Sequence, residues 1–396
     1  MTSASELVKV LNAAAASPPE AGKEERLALI AACDKLKNSF ETPMEASLRF
    51  IFSPHHSVAL RLAIDVKLFD AAAELSKNNK EITLEGLSSK ITTEPLFIAR
   101  IMRFLAVMNI FSEVGKDTYT TTPLAAAYVS DSLYAHAIVH MTSQNEVIAQ
   151  LPRYFEEKGY KNPDDAFNGP FQYARQTDKH CFEWLAAQPR LQNSFNKVMS
   201  ISRTPGVQSW FEYFPVDSKL GGKSKAEPLL VDIGGGVGHD LIALREHYPT
   251  LNGTLIVQDI PVVIDSVQGL PAGIQAMAHD FFQPQPVRNA KAYYLANVLH
   301  DWPDKQALQI LNHIRDAMSE DSIVLVHENV IPEVNVSAFS ASTDLIMMSN
   351  FSSLERTEQQ YKALLEEAGL ALVKTWAPDG AVKGEGRKLV EAVLRE

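Results

Sequence analysis

Residues 229–240 read LLVDIGGGVGHD, an apolar run that leads directly into a cluster of glycines. The run predicts a buried strand, and the spacing of Val237, Leu241 and Leu244 predicts a helix after the glycines. Glycine permits tight turns and a close approach of the backbone to a ligand. A strand, a glycine-rich turn and a helix in this order are typical of the ligand-binding edge of a doubly wound sheet.

Further short apolar runs alternate with helical patterns on the C-terminal side of this stretch. The alternation predicts an α/β fold, a Rossmann-like, seven-stranded, mostly parallel sheet with helices on both faces. The predicted strands start at Leu229, Thr254, Ile274, Ala292, Ile323, Leu370 and Leu389. We expect the last two to pair as an antiparallel hairpin.

The N-terminal part of the chain is predicted to be helical. Apolar residues recur at helical spacing from Ser57 to Phe69, which predicts helical structure there. Residues 82–123 predict two helices and a hairpin, a winged-helix-like order. The charges of this segment balance, with Lys90, Arg100, Arg103 and Lys116 against Glu85, Glu94, Glu113 and Asp117. Since DNA binding needs a basic patch, we favour a dimerisation module over a regulatory DNA binder.

Three domains are therefore predicted. Residues 1–125 form a helical and winged-helix-like dimerisation domain, and residues 126–220 form a helical connecting region that contributes to the substrate pocket. Residues 221–396 form the Rossmann-like catalytic domain.

The composition is that of a globular protein with an acidic balance. Among 396 residues, 37 Lys and Arg stand against 48 Asp and Glu, for a formal net charge of −11. We therefore expect neither a nucleic-acid nor a membrane partner. Cys33 and Cys181 lack the spacing of a zinc site, so no metal is expected. The chain shows no signal-peptide or membrane-span pattern, which predicts a cytoplasmic location.

Three acids at successive predicted strand ends indicate the kind of cofactor. Asp232 precedes the glycines, Asp259 ends the second strand, and Asp280 follows the third. Asp259 suits a ribose diol, and Phe281 suits a purine ring. His239 replaces the last glycine of the dinucleotide fingerprint. Each acid alone is explained equally well as a cap or turn residue. Together they would repel a polyphosphate and tolerate a cationic sulfonium nucleoside.

Six segments in order resemble the plant- and fungus-type class I O-methyltransferases, the caffeate- and sterigmatocystin-type family. They are VDIGGGVG (231–238), QDIP (258–261), HDFF (279–282), NVLHDWPD (297–304), VHENVIPE (326–333) and LERTEQQYKALLEEAGL (354–370). The similarity extends over the chain beyond residue 40. Each segment alone is only suggestive, whereas the ordered set is specific.

The resemblance implies S-adenosyl-L-methionine as cofactor and methyl transfer to a hydroxyl of an aromatic or polyketide-like small molecule of secondary metabolism. It also implies a homodimer formed through the N-terminal domain. The implied cofactor-binding residues are Asp232, Gly234, Gly236, Gly238, Asp259 and Asp280. The residue pattern adds Gly235 and Phe281 to this set. The implied catalytic residues are His300 as general base and Glu328 and Glu355 as the acids that orient it.

His300 follows an apolar strand and precedes a helix that is predicted to start at Pro303. The imidazole is expected to project from the sheet edge toward the cofactor, and Asp301 is expected to start the helix. The substrate pocket is expected to draw on the aromatic and methionine-rich helices, although residues at helical spacing are more often core. The candidate substrate-binding residues are Trp184, Met199, Met347 and Asn350.

Ala296 occupies a position where members of the family often carry Lys or Arg. This departure leaves an alternative in which the fold and cofactor are retained but the reaction is a pericyclic cyclisation or a dehydration. The presence of His300, Glu328 and Glu355 argues against that alternative.

Overall fold

The computed structural model describes residues 3–77, 81–199, 208–222, 227–378 and 386–395. Internal contacts divide the chain into two units, Met1–Ser130 and Asp131–Glu396. The three-part division inferred from the sequence stays a prediction. None of the helices in the described ranges has the length and apolar character needed to cross a membrane.

The first unit combines helices with a small antiparallel sheet. Its described elements are α1 (Ala4–Ala16), α2 (Lys23–Phe40), α3 (Pro43–Phe52), α4 (Pro54–Asp65), α5 (Leu68–Ser76), β1 (Ile82–Thr83), α6 (Leu84–Lys90), α7 (Pro95–Val107), β2 (Phe111–Gly115), β3 (Thr118–Thr121) and α8 (Pro123–Ala127). The predicted order of two helices and a hairpin is present in α6, α7, β2 and β3. Strand β3 lies between β1 and β2. Helix α7 contacts β2 and buries Ile98, Ile101, Met102 and Leu105.

The segment from Ser57 to Phe69 is helical, as predicted, but it is divided between two helices. Lys67 has a φ of 57°, in the left-handed region, so α4 ends at Asp65 and α5 begins at Leu68. A left-handed residue interrupts the helical hydrogen-bond ladder. Apolar residues are buried in both helices, so the apolar residues keep their helical spacing in the sequence across the break.

The second unit contains the large sheet and the helices that cover it. Its described elements are α9 (Leu133–Thr142), α10 (Asn145–Lys158), α11 (Pro170–Arg175), α12 (Cys181–Ala186), α13 (Pro189–Met199), α14 (Trp210–Tyr213), α15 (Val216–Leu220), β4 (Pro228–Ile233), α16 (His239–His247), β5 (Thr254–Asp259), α17 (Pro261–Ile264), β6 (Ile274–Ala278), β7 (Ala292–Ala296), α18 (Asp304–Arg315), β8 (Ile323–Asn329), α19 (Ala338–Phe351), α20 (Glu358–Glu367), β9 (Leu370–Trp376) and β10 (Arg387–Leu394).

The sheet has the order β6-β5-β4-β7-β8-β10-β9. Strands β4 to β8 pair in parallel, and β10 runs antiparallel to both β8 and β9. The fold class and the predicted β9–β10 pairing are therefore confirmed, but β10 lies inside the sheet and β9 at its edge. The strand order reverses between β4 and β7, and ligands bind beyond the carboxyl ends of strands at such a switch point.

Each face of the sheet is buried against helices, as expected of parallel strands. Alternation along β7 shows the two faces clearly. Tyr293 and Leu295 join the core that contains α18 and α20, whereas Ala292 and Tyr294 join the core that contains α14 to α16. The strand ends that carry the predicted site residues are thus held by packing on both sides.

We expect Leu311→Ala to lower the free energy of unfolding by roughly 2–5 kcal/mol, because Leu311 is fully buried in α18 and its truncation leaves a cavity. Denaturant unfolding measures the loss. Leu345→Ala is the matched control, since Leu345 is 55% exposed on α19, and a change within about 0.5 kcal/mol is expected there. Equal losses in the two variants would contradict the assignment of this core.

Candidate active site

The glycine loop joins β4 to α16 and places backbone rather than side chains at the sheet edge. Positive φ angles of 71°, 62° and 83° occur at Gly234, Gly236 and Gly238. Gly235 has an ordinary φ, but a Cβ there would lie 2.5 Å from the carboxylate carbon of Asp232. Three glycines are therefore required by conformation, and Gly235 is required by the close packing of the Asp232 carboxylate.

The loop offers space and hydrogen-bonding groups to a ligand. Apart from adjacent residues, no described heavy atom lies within 4 Å of a Cβ built at Gly236. The Gly236 amide donates to Asp259 Oδ2 at 2.8 Å, and the Ile260 amide donates to Oδ1 at 2.8 Å. Burial raises the pKa of Asp259, and these two amides partly offset the shift. Each carboxylate oxygen has a second lone pair, so Asp259 can still accept from a ribose diol.

Asp280 and Phe281 follow β6 and have different surroundings. Asp280 is exposed, and its Oδ1 accepts from the Phe282 amide at 3.0 Å, which is the geometry of a turn residue. Phe281 is half-buried, and its Cε1 lies 3.8 Å from a Cβ built at Gly234. The structure therefore brings Phe281 to the glycine loop, while the hydrogen bond of Asp280 stays within its own turn.

His300 lies in a short 3₁₀ turn, Leu299–Asp301, between β7 and α18. Glu328, fully buried on β8, holds the start of this turn. Its Oε1 accepts from the amides of Val298 and Leu299 at 2.9 and 2.5 Å. The hydrogen bonds of Glu328 thus reach the base through the main chain, and a direct orienting role for this acid stays a prediction.

Arg356 holds the same turn from its other end. Its guanidinium is 1% exposed and donates to the carbonyls of Leu299 and Trp302 at 2.7 and 2.9 Å. The Ser353 hydroxyl donates to the carbonyl of His300 itself. The main chain on both sides of the imidazole is therefore fixed by buried side chains.

Two carboxylates flank the His300 ring. Nδ1 lies 3.6 Å from Glu355 Oε1, and Nε2 lies 3.7 Å from Asp301 Oδ1. Burial alone would lower the pKa of His300, but the carboxylates of Asp301, Glu355 and Glu328 outweigh it and raise the pKa to about 9. Without a cationic ligand, His300 is therefore an imidazolium at neutral pH.

Asp301 does not start the following helix, contrary to the expectation from the sequence. Pro303 is the N-cap of α18, which begins at Asp304. Asp301 lies earlier, in the 3₁₀ turn that connects the end of β7 to the start of α18. Burial raises the pKa of its carboxyl to about 7, although the neighbouring His300 acts in the opposite direction.

The switch point brings the two loops together. A Cβ built at Gly234 would lie 3.0 Å from Val298 Cγ2, and Val298 directly precedes the His300 turn. The loop that follows β4 and the loop that follows β7 are thus in contact. A ligand held by the glycine loop would therefore lie near His300.

The predicted substrate-binding residues lie on three helices. Asn350 is 3% exposed and Met347 is half-buried, both on α19, the helix that leads into the serine bound to the His300 turn. Trp184 on α12 has the Arg175 guanidinium 4.4 Å above its ring. Met199 on α13 is 42% exposed. The contacts described here therefore link α19, but not Trp184 or Met199, to the base.

An aromatic cluster adjoins the His300 turn. His180 stacks on Trp302 with centroids 4.5 Å apart, and its ring also lies near Phe182 and Phe351, at 5.3 and 5.8 Å. Burial lowers the pKa of His180 to about 4, so the ring is neutral. The cluster therefore packs planar rings against one another beside the candidate base.

Comparison with known proteins identifies the family. A family model for the O-methyltransferase domain matches residues 164–371, and one for the O-methyltransferase dimerisation domain matches residues 48–131. The chain is 34% identical over 343 residues to demethylsterigmatocystin 6-O-methyltransferase of Aspergillus flavus, covering 86% of this chain and 87% of that protein. The chain belongs to the O-methyltransferase family.

Solved structures agree with this O-methyltransferase in fold over nearly the whole chain. LepI in complex with S-adenosylmethionine is 29% identical, with a TM-score of 0.81 and coverage of 99% of this chain and 100% of that one. OxaC in complex with sinefungin and meleagrin is 28% identical, with a TM-score of 0.82 and coverage of 98% of each chain. The O-methyltransferase is an enzyme that depends on S-adenosylmethionine, as the sequence predicted.

In the cofactor-free O-methyltransferase, we expect the His300 imidazole to titrate near pH 9, charged below that pH and neutral above it. Asp301→Asn should lower this pKa because it removes one of the carboxylates that stabilise the cation. NMR titration of the ring measures both values. Asp316→Asn, at an acid 63% exposed beyond α18, should leave the His300 pKa unchanged. A wild-type pKa at or below 6.5 would refute the arrangement.

Proposed function

We propose that this O-methyltransferase methylates a hydroxyl group of an aromatic or polyketide-like secondary metabolite, with His300 as the general base. The observation that carries the proposal is the half-buried imidazole between Asp301 and Glu355, in a loop that touches the glycine loop at the switch point.

The glycine loop and its neighbours would hold the cofactor. Asp259 would accept from the ribose hydroxyls, the open backbone at Gly236 would lie against the nucleoside, and Phe281 would pack on the adenine. Asp232 and the more distant Asp280 would complete the acidic surroundings that a cationic ligand tolerates. Bound S-adenosylmethionine supplies an activated methyl group and a positive charge on sulfur.

His300 would take the proton of the acceptor hydroxyl as the hydroxyl oxygen forms its bond to the methyl carbon. An ordinary imidazole, with a pKa of about 6.5, is a weak base for a phenol near 10. Asp301 and Glu355 raise the His300 pKa, which narrows that mismatch and stabilises the imidazolium as it forms. The positive charge of the bound cofactor would lower the His300 pKa again, so that the ring is neutral and accepts a proton.

The class of methyl acceptor is inferred from the aromatic cluster and from the compounds that are named for related proteins. Stacked and tilted rings around His180 and Trp302 suit a planar molecule. The name of the Aspergillus flavus relative specifies demethylsterigmatocystin, and the OxaC structure contains meleagrin. Met347 and Asn350 are the pocket residues best supported by position, with Trp184 and Met199 as further members.

A homodimer is proposed on the apolar surface of the first unit. The dimerisation domain matches residues 48–131, and neither α1 nor α3 buries a residue within its own chain. Phe50, Ile51 and Phe52 on α3 are 63%, 63% and 52% exposed. A second copy of the chain would cover this surface. The cytoplasmic location and the absence of a nucleic-acid partner stay predictions.

His300→Ala should reduce methyl transfer by roughly 100- to 10,000-fold, the usual contribution of a general base, while S-adenosylmethionine still binds. Transfer of labelled methyl to a panel of hydroxylated aromatics, followed by mass spectrometry, measures activity. His247→Ala, at a histidine near the end of α16 that contacts Phe211, is the control. Full activity in the His300 variant would remove this residue from the mechanism. A rearranged product without label from the wild-type enzyme would instead support the non-methylating alternative.

Asp259→Ala should weaken binding of S-adenosylmethionine by roughly tenfold or more, the value of a hydrogen bond to a charged group. Isothermal titration calorimetry measures the Kd. Asp265 is an exposed acid at the C-terminal end of α17, the helix that follows β5. Asp265→Ala should leave the Kd unchanged. An unaltered Kd in Asp259→Ala would exclude Asp259 from the cofactor site.

A further inference from the structure

A chain of hydrogen-bonded polar side chains, two of them buried and two half-buried, crosses the sheet on the face opposite Glu328. The Tyr294 hydroxyl on β7 donates to Asp240 Oδ2 at 2.9 Å and lies 2.8 Å from His327 Nδ1. His327 Nε2 lies 3.1 Å from the Tyr213 hydroxyl. We call these four residues the Tyr–His chain. It links α14, β8, β7 and the first turn of α16.

The hydrogen bonds of the Tyr–His chain have one consistent direction. Burial and the nearby Arg387 hold the pKa of His327 well below its usual range, so the ring is neutral and has one N–H. Because Tyr294 gives its hydrogen to Asp240, Nδ1 of His327 must donate to the Tyr294 oxygen. Nε2 then accepts from Tyr213. Every proton along the chain points toward α16.

Packing alone does not require these polar groups. Tyr294 is fully buried, and the Trp210 ring stacks on it at 5.0 Å within a core whose members are mainly apolar. Apolar side chains would fill the same space, and buried polar groups are costly unless they are hydrogen-bonded. The Tyr–His chain offsets this cost with hydrogen bonds that also connect its members to the first turn of α16.

The Tyr–His chain ends where the cofactor loop begins its helix. Gly238 is the N-cap of α16 and Asp240 is the second residue of that helix. On the neighbouring strand, Asp232 pairs in register with Tyr294, and its carboxylate packs on Gly235. A shift of Asp240 would therefore move the helical end of the loop relative to the end that β4 holds.

We propose that Tyr294 and His327 are positioning residues for the cofactor, which hold Asp240 and the first turn of α16 where the glycine loop binds S-adenosylmethionine. The inference rests on the cofactor assignment and not on the identity of the methyl acceptor. Neither residue needs to touch the nucleoside. Their effect is carried by the helix start.

The test is calorimetric titration of the full chain with S-adenosylmethionine. Tyr294→Phe should raise the Kd roughly fivefold, the value of one hydrogen bond of ordinary strength. Tyr293→Phe is the matched control. Tyr293 precedes Tyr294 on β7, is equally buried, and donates to the Val287 and Ala317 carbonyls at 2.8 and 2.9 Å on the other face. Its loss should lower the Tm comparably without changing the Kd.

A second pair of variants separates positioning from packing. His327→Asn keeps an amide donor near the Nδ1 position, whereas His327→Leu keeps only the volume. The Asn variant should bind S-adenosylmethionine with a Kd nearer to wild type than the Leu variant. This pair also serves as the test if Tyr294→Phe does not fold.

A wild-type Kd in Tyr294→Phe, an equal rise in Tyr293→Phe, or equal affinities of the two His327 variants would each overturn the proposal. Failure of the proposed function would appear differently. The wild-type enzyme would then bind S-adenosylmethionine without passing label to any hydroxylated aromatic, and the comparison of Kd values would remain valid.

Discussion

The buried carboxylate of Glu328 and the buried guanidinium of Arg356 are the constraint on which the candidate active site depends. An unpaired charge in a protein interior is very costly, so each group must satisfy its hydrogen-bonding capacity locally. Glu328 does so with two main-chain amides and the Tyr361 hydroxyl, and Arg356 with two main-chain carbonyls and Asp304. Since those amides and carbonyls belong to the turn around His300, satisfying the charges also fixes the main chain that carries the imidazole.

The sheet topology explains why one enzyme site can be assembled from distant parts of the chain. Crossover helices carry the chain away from β4 in one direction and return it at β7 on the other side, so the loops after these two strands meet. One loop is nearly free of side chains and exposes backbone. The other has a single imidazole among carboxylates. The candidate cofactor loop and the candidate base thus follow neighbouring strands that lie far apart in the sequence.

Much of this architecture could be predicted from the sequence because its signals are local. Apolar runs of strand length, the glycines at 234–238 and the ordered motifs each fall within a few residues. Arg356 had no such signal. It stands in LERTEQ, a charged stretch that resembles an exposed helix start, and its burial depends on the distant turn that it binds. The position of Asp301 beside Nε2 depends in the same way on how the chain leaves β7, and the break at Lys67 depends on one dihedral angle.

The location of β10 has a consequence for co-translational folding. This strand is inserted between β8 and β9 and pairs with both, so it is an interior member of the sheet that is synthesised after all the others. Until residues 387–394 leave the ribosome, β8 has an open edge and β9 has no neighbour to join. Exposed strand edges favour intermolecular pairing. Nascent chains of this protein are therefore expected to pass through a stage in which a chaperone, or rapid completion of translation, protects the unfinished edge of β8.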